Sequence, residues 1–281
     1  MTAPTNPAPP RDVDPNLTRL IRQASAASGS DFGLLMAQAA QESGFNPDAK
    51  SSASSATGLF QFIDSTWLDM MHRFGAKYGQ GALAQKISID RHGKPHVADA
   101  ATRHQILALR RDPALSAALA GEYAKLNKVE VERAVGHKVG RAELYMAHFL
   151  GAGGASHFLK ALETNGATPA AKLLPEAAAS NRSVFFEGET GRARSVAEIY
   201  RALGNRIEEE AHNFAGASTG DAPPSTAEQV AANTTAAAPR SDVAGLQLTP
   251  PVASMLDTLT LAALKLTGSA PAHPRRTDAQ G

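Results

Sequence analysis

The feature that most constrains this chain is an apolar helix that is made to stop. Leu34, Leu35, Met36, Ala39 and Ala40 form a stripe at helical spacing. Gly44 stands where a left-handed C-cap belongs, and Asn46-Pro47 forbids continuation. The stop fixes Glu42 in the last helical turn, where the helix macrodipole favours cations over anions.

An acid in that place is suited to giving a proton away, which is what cleavage of a glycosidic bond asks of a carboxyl group. Shortly after it comes Gly58-Leu59-Phe60-Gln61-Phe62, a turn glycine followed by an amide between two aromatic rings. Hydrogen bonds from an amide and apolar contact from rings are the usual means of holding a sugar. Glu42 and Gln61 are therefore the first candidates for catalysis and binding, with Phe60 beside them.

The wording of this stretch resembles a known family. Glu42-Ser43-Gly44-Phe45-Asn46-Pro47, then Ala49, a Ser- and Ala-rich loop from Ser51 to Thr57, and Gly58-Leu59-Phe60-Gln61 are similar to the signature of the soluble lytic transglycosylase superfamily. A second block, Glu143 to Gly154, resembles the variant of proteobacterial and phage members; His148-Phe149-Leu150-Gly151 stands where the commoner version has Tyr-Asn-Ala-Gly. A third block runs from Asn181 through Phe186 and Gly191 to Tyr200. Three blocks in order are a specific signal where a lone Glu-Ser would carry none.

The resemblance implies an all-α, lysozyme-like lytic transglycosylase domain acting on peptidoglycan without a cofactor or metal. It makes Glu42 both acid and base: the carboxyl protonates the glycosidic oxygen, then deprotonates the 6-hydroxyl of the same sugar to give a 1,6-anhydromuramic end. Ordinary glycosidases instead need two carboxylates. Glu143 is the candidate for a second one, which would make the protein a hydrolytic muramidase; equally, it is an acid favoured at a helix N-terminus. Gln61 is expected to bind an acetamido or hydroxyl group, or else to cap the loop, and Ser43 to hydrogen-bond the loop rather than react. The family tyrosine that contacts the catalytic glutamate has two heirs here, His148 by its place in the motif and Tyr145 one turn earlier. Phe186 and Tyr200 either close the cleft or pack in the core. Trp67 either lines a sugar subsite or packs in the core.

Composition narrows the alternatives. Lys and Arg number 28 against 27 Asp and Glu, a net charge of +1, so there is no general electrostatic case for nucleic acid or an anionic membrane. No cysteine is present, which removes disulfides, thiolate catalysis and zinc–thiolate sites. Few aromatics and much alanine favour packed helices over a β-sandwich.

In order along the chain, Asp14-Pro15 starts a helix that ends at Gly29, and Ser30 caps the helix that carries Glu42. Asp64 or Ser65 caps the next, which ends at Gly75. Residues 79–96 are expected to be an exposed loop; His92 and His96 within it lack a third ligand, so a metal site is not expected. Ala98–Leu109, Pro113–Leu126 and Val129–Val135 are expected to be three helices broken at Asp112-Pro113 and Asn127. Arg141 opens a helix that gives way at the glycines 151, 153 and 154. Short helices over Ser156–Leu162 and Pro169–Leu174, an irregular Asn181–Gly191 and a capping box at Ser195-Val-Ala-Glu198 complete a domain spanning 14–214.

Residues 1–13 are proline-rich and expected to be disordered, and 215–245 read as an Ala/Pro/Thr-rich linker. Within 246–281, Val252, Met255, Leu256, Leu259, Leu261, Leu264 and Leu266 form a short amphipathic segment, suited to docking on its own domain or on a partner. No stretch reaches the roughly 20 apolar residues of a bilayer span, and the first residues lack the apolar run of a signal peptide. For an enzyme of the periplasmic wall this implies a trimmed start or a specialised export route, with a secretion or flagellar assembly protein as the expected partner of the tail. A wall-binding assembly protein acting through that tail is the non-enzymatic alternative.

Overall fold

The computed structural model describes residues 13–52 and 54–215. The remainder, which includes the expected N-terminal segment, linker and amphipathic tail, lies outside the described residues. The fold is all-α and lysozyme-like. Its helices are α1 (Pro15–Ser28), α2 (Phe32–Ser43), α3 (Asp64–Phe74), α4 (Gly81–Ala84), α5 (Ala100–Ala108), α6 (Pro113–Val135), α7 (Arg141–Asn165), α8 (Ala170–Leu173), α9 (Pro175–Ser180), α10 (Arg182–Phe185) and α11 (Val196–Ala215).

Helix α2 is the partition of the core. Every residue from Gly33 to Glu42 is buried, the polar Gln38, Gln41 and Glu42 along with the apolar stripe. Leu34 and Ala37 join one cluster, built mainly by α7 and α11. Leu35, Met36, Ala39 and Ala40 join the other, built with α1, α3 and α6. At its N-terminus the cap is Asp31 rather than Ser30: the carboxylate accepts from Leu34 N–H at 2.7 Å and receives the Arg141 guanidinium. Burial raises the Asp31 pKa, but those donors outweigh it and the net shift is downward. Arg141 also reaches Glu208 on α11, so one side chain ties together the starts of α2 and α7 and the last turns of α11.

Several boundaries differ from the sequence reading. Asn127 does not break a helix: α6 is continuous over 23 residues, with Asn127 itself buried. Propensity is a weak prior, and an unbroken buried stripe through Leu119, Tyr123, Asn127 and Val131 overrides it. Neither Asp64 nor Ser65 caps α3. Ile63 occupies the cap position without a side-chain bond, because the Asp64 carboxylate is taken by Arg103 and Arg110. The 79–96 loop contains α4 and a two-stranded antiparallel pairing, β1 (Ser88–Ile89) with β2 (Pro95–His96). The helix opened by Arg141 does give way at the glycine cluster as expected: at Gly151 φ of 71° and ψ of 160° are non-helical, values only glycine adopts easily, and α7 is two helical arms meeting at this kink. The expected separate helix at 156–162 is therefore the second arm of α7. Part of the expected irregular stretch is helical as α10, after which Phe186 pairs with Ala193 in a bridge. The capping box before α11 is formed: Glu198 accepts from Ser195 N–H at 2.7 Å and Ser195 Oγ accepts from Glu198 N–H at 3.2 Å.

Candidate active site

The end of α2 is shaped by its own sequence. Gly44 adopts φ 59°, and its N–H reaches back to Ala40 O. Phe45 continues the left-handed turn at φ 66°, with its N–H on Ala39 O. This corner turns the chain away from α2 and leaves Glu42 on the buried side, 3 % exposed, pointing at α7.

Helix α7 answers with two side chains one turn apart. His148 Nε2 lies 3.1 Å from Glu42 Oε1. The Tyr145 hydroxyl donates to Gln41 Oε1 at 2.8 Å. Spacing of three residues sets the two on one face of α7, where they meet two consecutive residues of α2. The Tyr145 and His148 rings stack, 6.3 Å apart and 22° off parallel, and Tyr123 of α6 meets the imidazole edge-on. Burial first, and the Glu42 carboxylate second, push the Tyr145 phenol well above its ordinary pKa; burial does the same to Tyr123. Glu42 Oε2 is buried and has no hydrogen-bond partner among the described residues.

The signature loop closes the other side. Ser43 Oγ donates to Leu59 O at 2.9 Å, tying α2 to the loop as expected. Gln61 is fully buried and held in the left-handed region at φ 46°; its amide N–H₂ donates to Ala49 O at 3.1 Å and Gly58 O at 2.8 Å. Its carbonyl Oε1 has no hydrogen-bond partner among the described residues. A small cavity lies between the loop and α6, lined by Gln38, Phe60, Phe62, Tyr123, Asn127 and His148. Phe60 is buried completely on its wall. Gln38 stands four residues before Glu42, on the same face of α2.

The remaining candidates sit elsewhere. Glu143 Oε2 accepts from Gly140 N–H at 2.8 Å, completing the start of α7, and Oε1 accepts from the Tyr200 hydroxyl. Phe186 is half-buried under the Arg182 guanidinium, 4.7 Å from the ring centre. Trp67 is fully buried, and its indole N–H donates to Ile106 O at 2.8 Å, so it is a core residue. Among the described residues no cluster of three or more His, Cys, Asp or Glu is placed to hold a metal ion.

Two participants escaped the sequence reading. Gln41 is a neighbour of Glu42 in sequence, but only the fold shows that Tyr145 orients its amide. Arg110 is buried beneath the signature loop, and nothing in the Leu109-Arg110-Arg111 run distinguishes it from its exposed neighbour Arg111.

Among the described residues no helix is long and apolar enough to cross a membrane. Residues 19–86, which carry α1, α2, the signature loop and α3, match the transglycosylase SLT domain family; the second and third blocks lie beyond the match. Over this segment the chain is similar to the soluble lytic transglycosylase, lysozyme-like superfamily, whose chemistry is directed at peptidoglycan.

Proposed function

We propose that the protein is a lytic transglycosylase that cleaves the β-1,4 bond between MurNAc and GlcNAc without consuming water, with Glu42 as its only acid and base. The observation that carries this reading is the unequal state of the two Glu42 oxygens. Oε1 is held at hydrogen-bonding distance by His148, while Oε2 is buried and unengaged. A carboxyl group anchored by one oxygen offers the other to substrate in a defined direction.

The proton then makes a closed circuit. Glu42 gives it to the glycosidic oxygen as the anomeric C–O bond breaks, with positive charge developing on the ring. The carboxylate so formed takes the proton of the 6-hydroxyl while that oxygen bonds to the anomeric carbon. The product carries a 1,6-anhydro ring, and Glu42 is again protonated. Gln61, with its carbonyl free and its amide nitrogen anchored, is suited to accept a hydrogen bond from an acetamido N–H or a hydroxyl of the glycan. Gln38 and Phe60, with His148, line the small cavity beside it. Ser43 acts by holding the loop to α2.

The engagement of Glu143 supports this reading over the hydrolytic one. A base that activates water has to face the anomeric carbon, whereas the hydrogen bonds that Glu143 accepts from Gly140 N–H and the Tyr200 hydroxyl hold it at the start of α7. The site of action on this proposal is the periplasmic wall. A role in opening local gaps for a secretion or flagellar apparatus rests on the sequence reading alone.

The test is digestion of purified peptidoglycan by the wild type and by Glu42→Gln, with released muropeptides weighed. Products lighter by one water, absent with the variant, are expected. Products with ordinary reducing ends would replace this reading by hydrolysis, and release undiminished in the variant would remove Glu42 from the chemistry.

A further inference from the structure

Gln61 occupies a backbone region that non-glycine residues rarely adopt, at φ 46°. Such a conformation persists only where the surroundings over-determine it. The loop's own bonds supply part of that: Thr57 N–H to Phe62 O, Gly58 N–H to Ala49 O and Gln61 N–H to Gly58 O. All three lie within 49–62, a strand of chain with no helix or sheet of its own. Something outside the loop has to hold it at the right height against α2.

Ser43 supplies one tie, through Leu59 O; on the other side the support comes from one short turn, residues 107–111, where α5 leads into α6. The Arg110 side chain is buried, and its Nη1 donates to Ser55 O at 2.6 Å and Phe62 O at 3.0 Å, one carbonyl on each side of Gln61. The same nitrogen is 2.9 Å from Asp64 Oδ1, and Nε donates to Leu107 O at 3.0 Å, which fixes the guanidinium in its own turn. The backbone of Arg110 contributes as well. Its carbonyl oxygen lies 2.1 Å from where a Cβ on Gly58 would stand, so the loop rests on this turn with no room between.

We infer that Arg110 is a positioning residue for catalysis: by clamping the carbonyls of Ser55 and Phe62 it holds Gln61 in its left-handed conformation and sets the distance between the Gln61 carbonyl and Glu42. It touches no substrate and acts through the loop. This inference rests on the functional reading above, in which Gln61 binds the glycan. A loop shifted by about 1 Å would lose productive alignment, and misplacement on that scale costs on the order of 100-fold in rate.

The experiment compares full-length wild type, Arg110→Met, Arg110→Lys, Glu42→Gln and Glu122→Gln on soluble un-cross-linked glycan strands, below the melting temperature of each variant. Glu122 is a control for buried charge remote from the loop: its carboxylate bonds Lys77 and, at 2.7 Å, the Tyr78 hydroxyl. Arg110→Met, which keeps the side-chain volume, is expected to lose roughly 100-fold in kcat/KM, with KM raised. Arg110→Lys, whose ammonium brings three donors to the same place, is expected to recover most of that loss, and Glu122→Gln to keep wild-type turnover.

A folded Arg110→Met with wild-type KM and kcat would overturn the inference. So would a loss in Glu122→Gln equal to that in Arg110→Met, which would mean that both act only through stability. Should Arg110→Met fail to fold, Asp64→Asn loosens the clamp from its partly exposed side; a raised KM is expected, and an unchanged KM overturns the inference. Failure of the functional reading looks different. Glu42→Gln would then cleave as well as wild type, or wild type would cleave nothing, while strand binding by the Arg110 variants would still report the clamp.

Discussion

His148 Nε2 lies 3.1 Å from Glu42 Oε1, a contact between two buried side chains that stand 106 residues apart in the chain. It joins the first sequence block to the second, and it places an imidazole where the commoner family wording has a tyrosine. The ring is held on its faces and edges by Tyr145 and Tyr123, so its direction is set by packing before any substrate arrives.

Removing that partner tests what it does. His148→Phe keeps an aromatic ring in the stack but leaves Glu42 Oε1 without its hydrogen-bond partner. Loss of one such aimed hydrogen bond is expected to lower kcat by roughly 100-fold. His148→Gln, which retains an N–H donor, is expected to lose less. Steady-state turnover of glycan strands by the two variants checks this, and equal activity of His148→Phe and wild type would show the contact to be incidental.

Gly58 has no freedom to change. Its φ of 88° disfavours a side chain, and a Cβ would meet the Arg110 carbonyl oxygen at 2.1 Å, a backbone atom that cannot swing aside. Gly58→Ala is therefore expected to destabilise the fold by roughly 2–5 kcal/mol, the sum of left-handed strain and overpacking. Urea unfolding followed by circular dichroism measures it. A loss below about 1 kcal/mol would mean that the loop lifts off Arg110 easily, and the same variant should then show altered KM.

Glu143 and Tyr200 form a reporter pair. Burial, and then the hydrogen bond and charge of Glu143, raise the Tyr200 phenol to about 12. Burial raises the other three tyrosines as well, and Tyr200 is expected to be the first of the four to ionise. Glu143→Gln removes the charge and is expected to move that first transition toward the ordinary value, read by ultraviolet absorbance of tyrosinate. If the single-carboxylate reading holds, the same variant still releases anhydro products.

The start of α11 makes a pH-dependent contribution to stability. Hydrogen bonds from Arg192, then from Ser195 N–H, hold the Glu198 carboxyl at about 2, below its ordinary 4.5. A depressed native pKa stabilises the fold above the unfolded value, and the contribution is lost as pH falls from about 4.5 through about 2. Glu198→Gln should therefore be less stable than wild type at neutral pH, by about 1 kcal/mol for a cap of this kind, and the difference should close toward pH 2. Paired urea titrations across that window decide it; a gap that is constant with pH would assign the effect to packing.

The sequence by itself determined the elements whose causes are local. The stop after α2 is written in Gly44 and Asn46-Pro47, the start of α1 in Asp14-Pro15 and the start of α11 in Ser195 and Glu198, because caps and breakers act within a few residues. The tether of Ser43 to the loop was likewise legible from the motif. Only the tertiary structure decided what depends on neighbours distant in the chain. Asn127 reads as a helix breaker and is buried inside α6. Asp64 reads as a cap and is drawn instead to Arg103 and Arg110. The partner of Glu42 among Tyr145 and His148 was settled by which face of α7 meets the end of α2, and Arg110 became visible only when the turn at 107–111 was seen beneath the loop. A buried charge takes its role from the groups that desolvate and pair with it, and the fold supplies those from far along the chain.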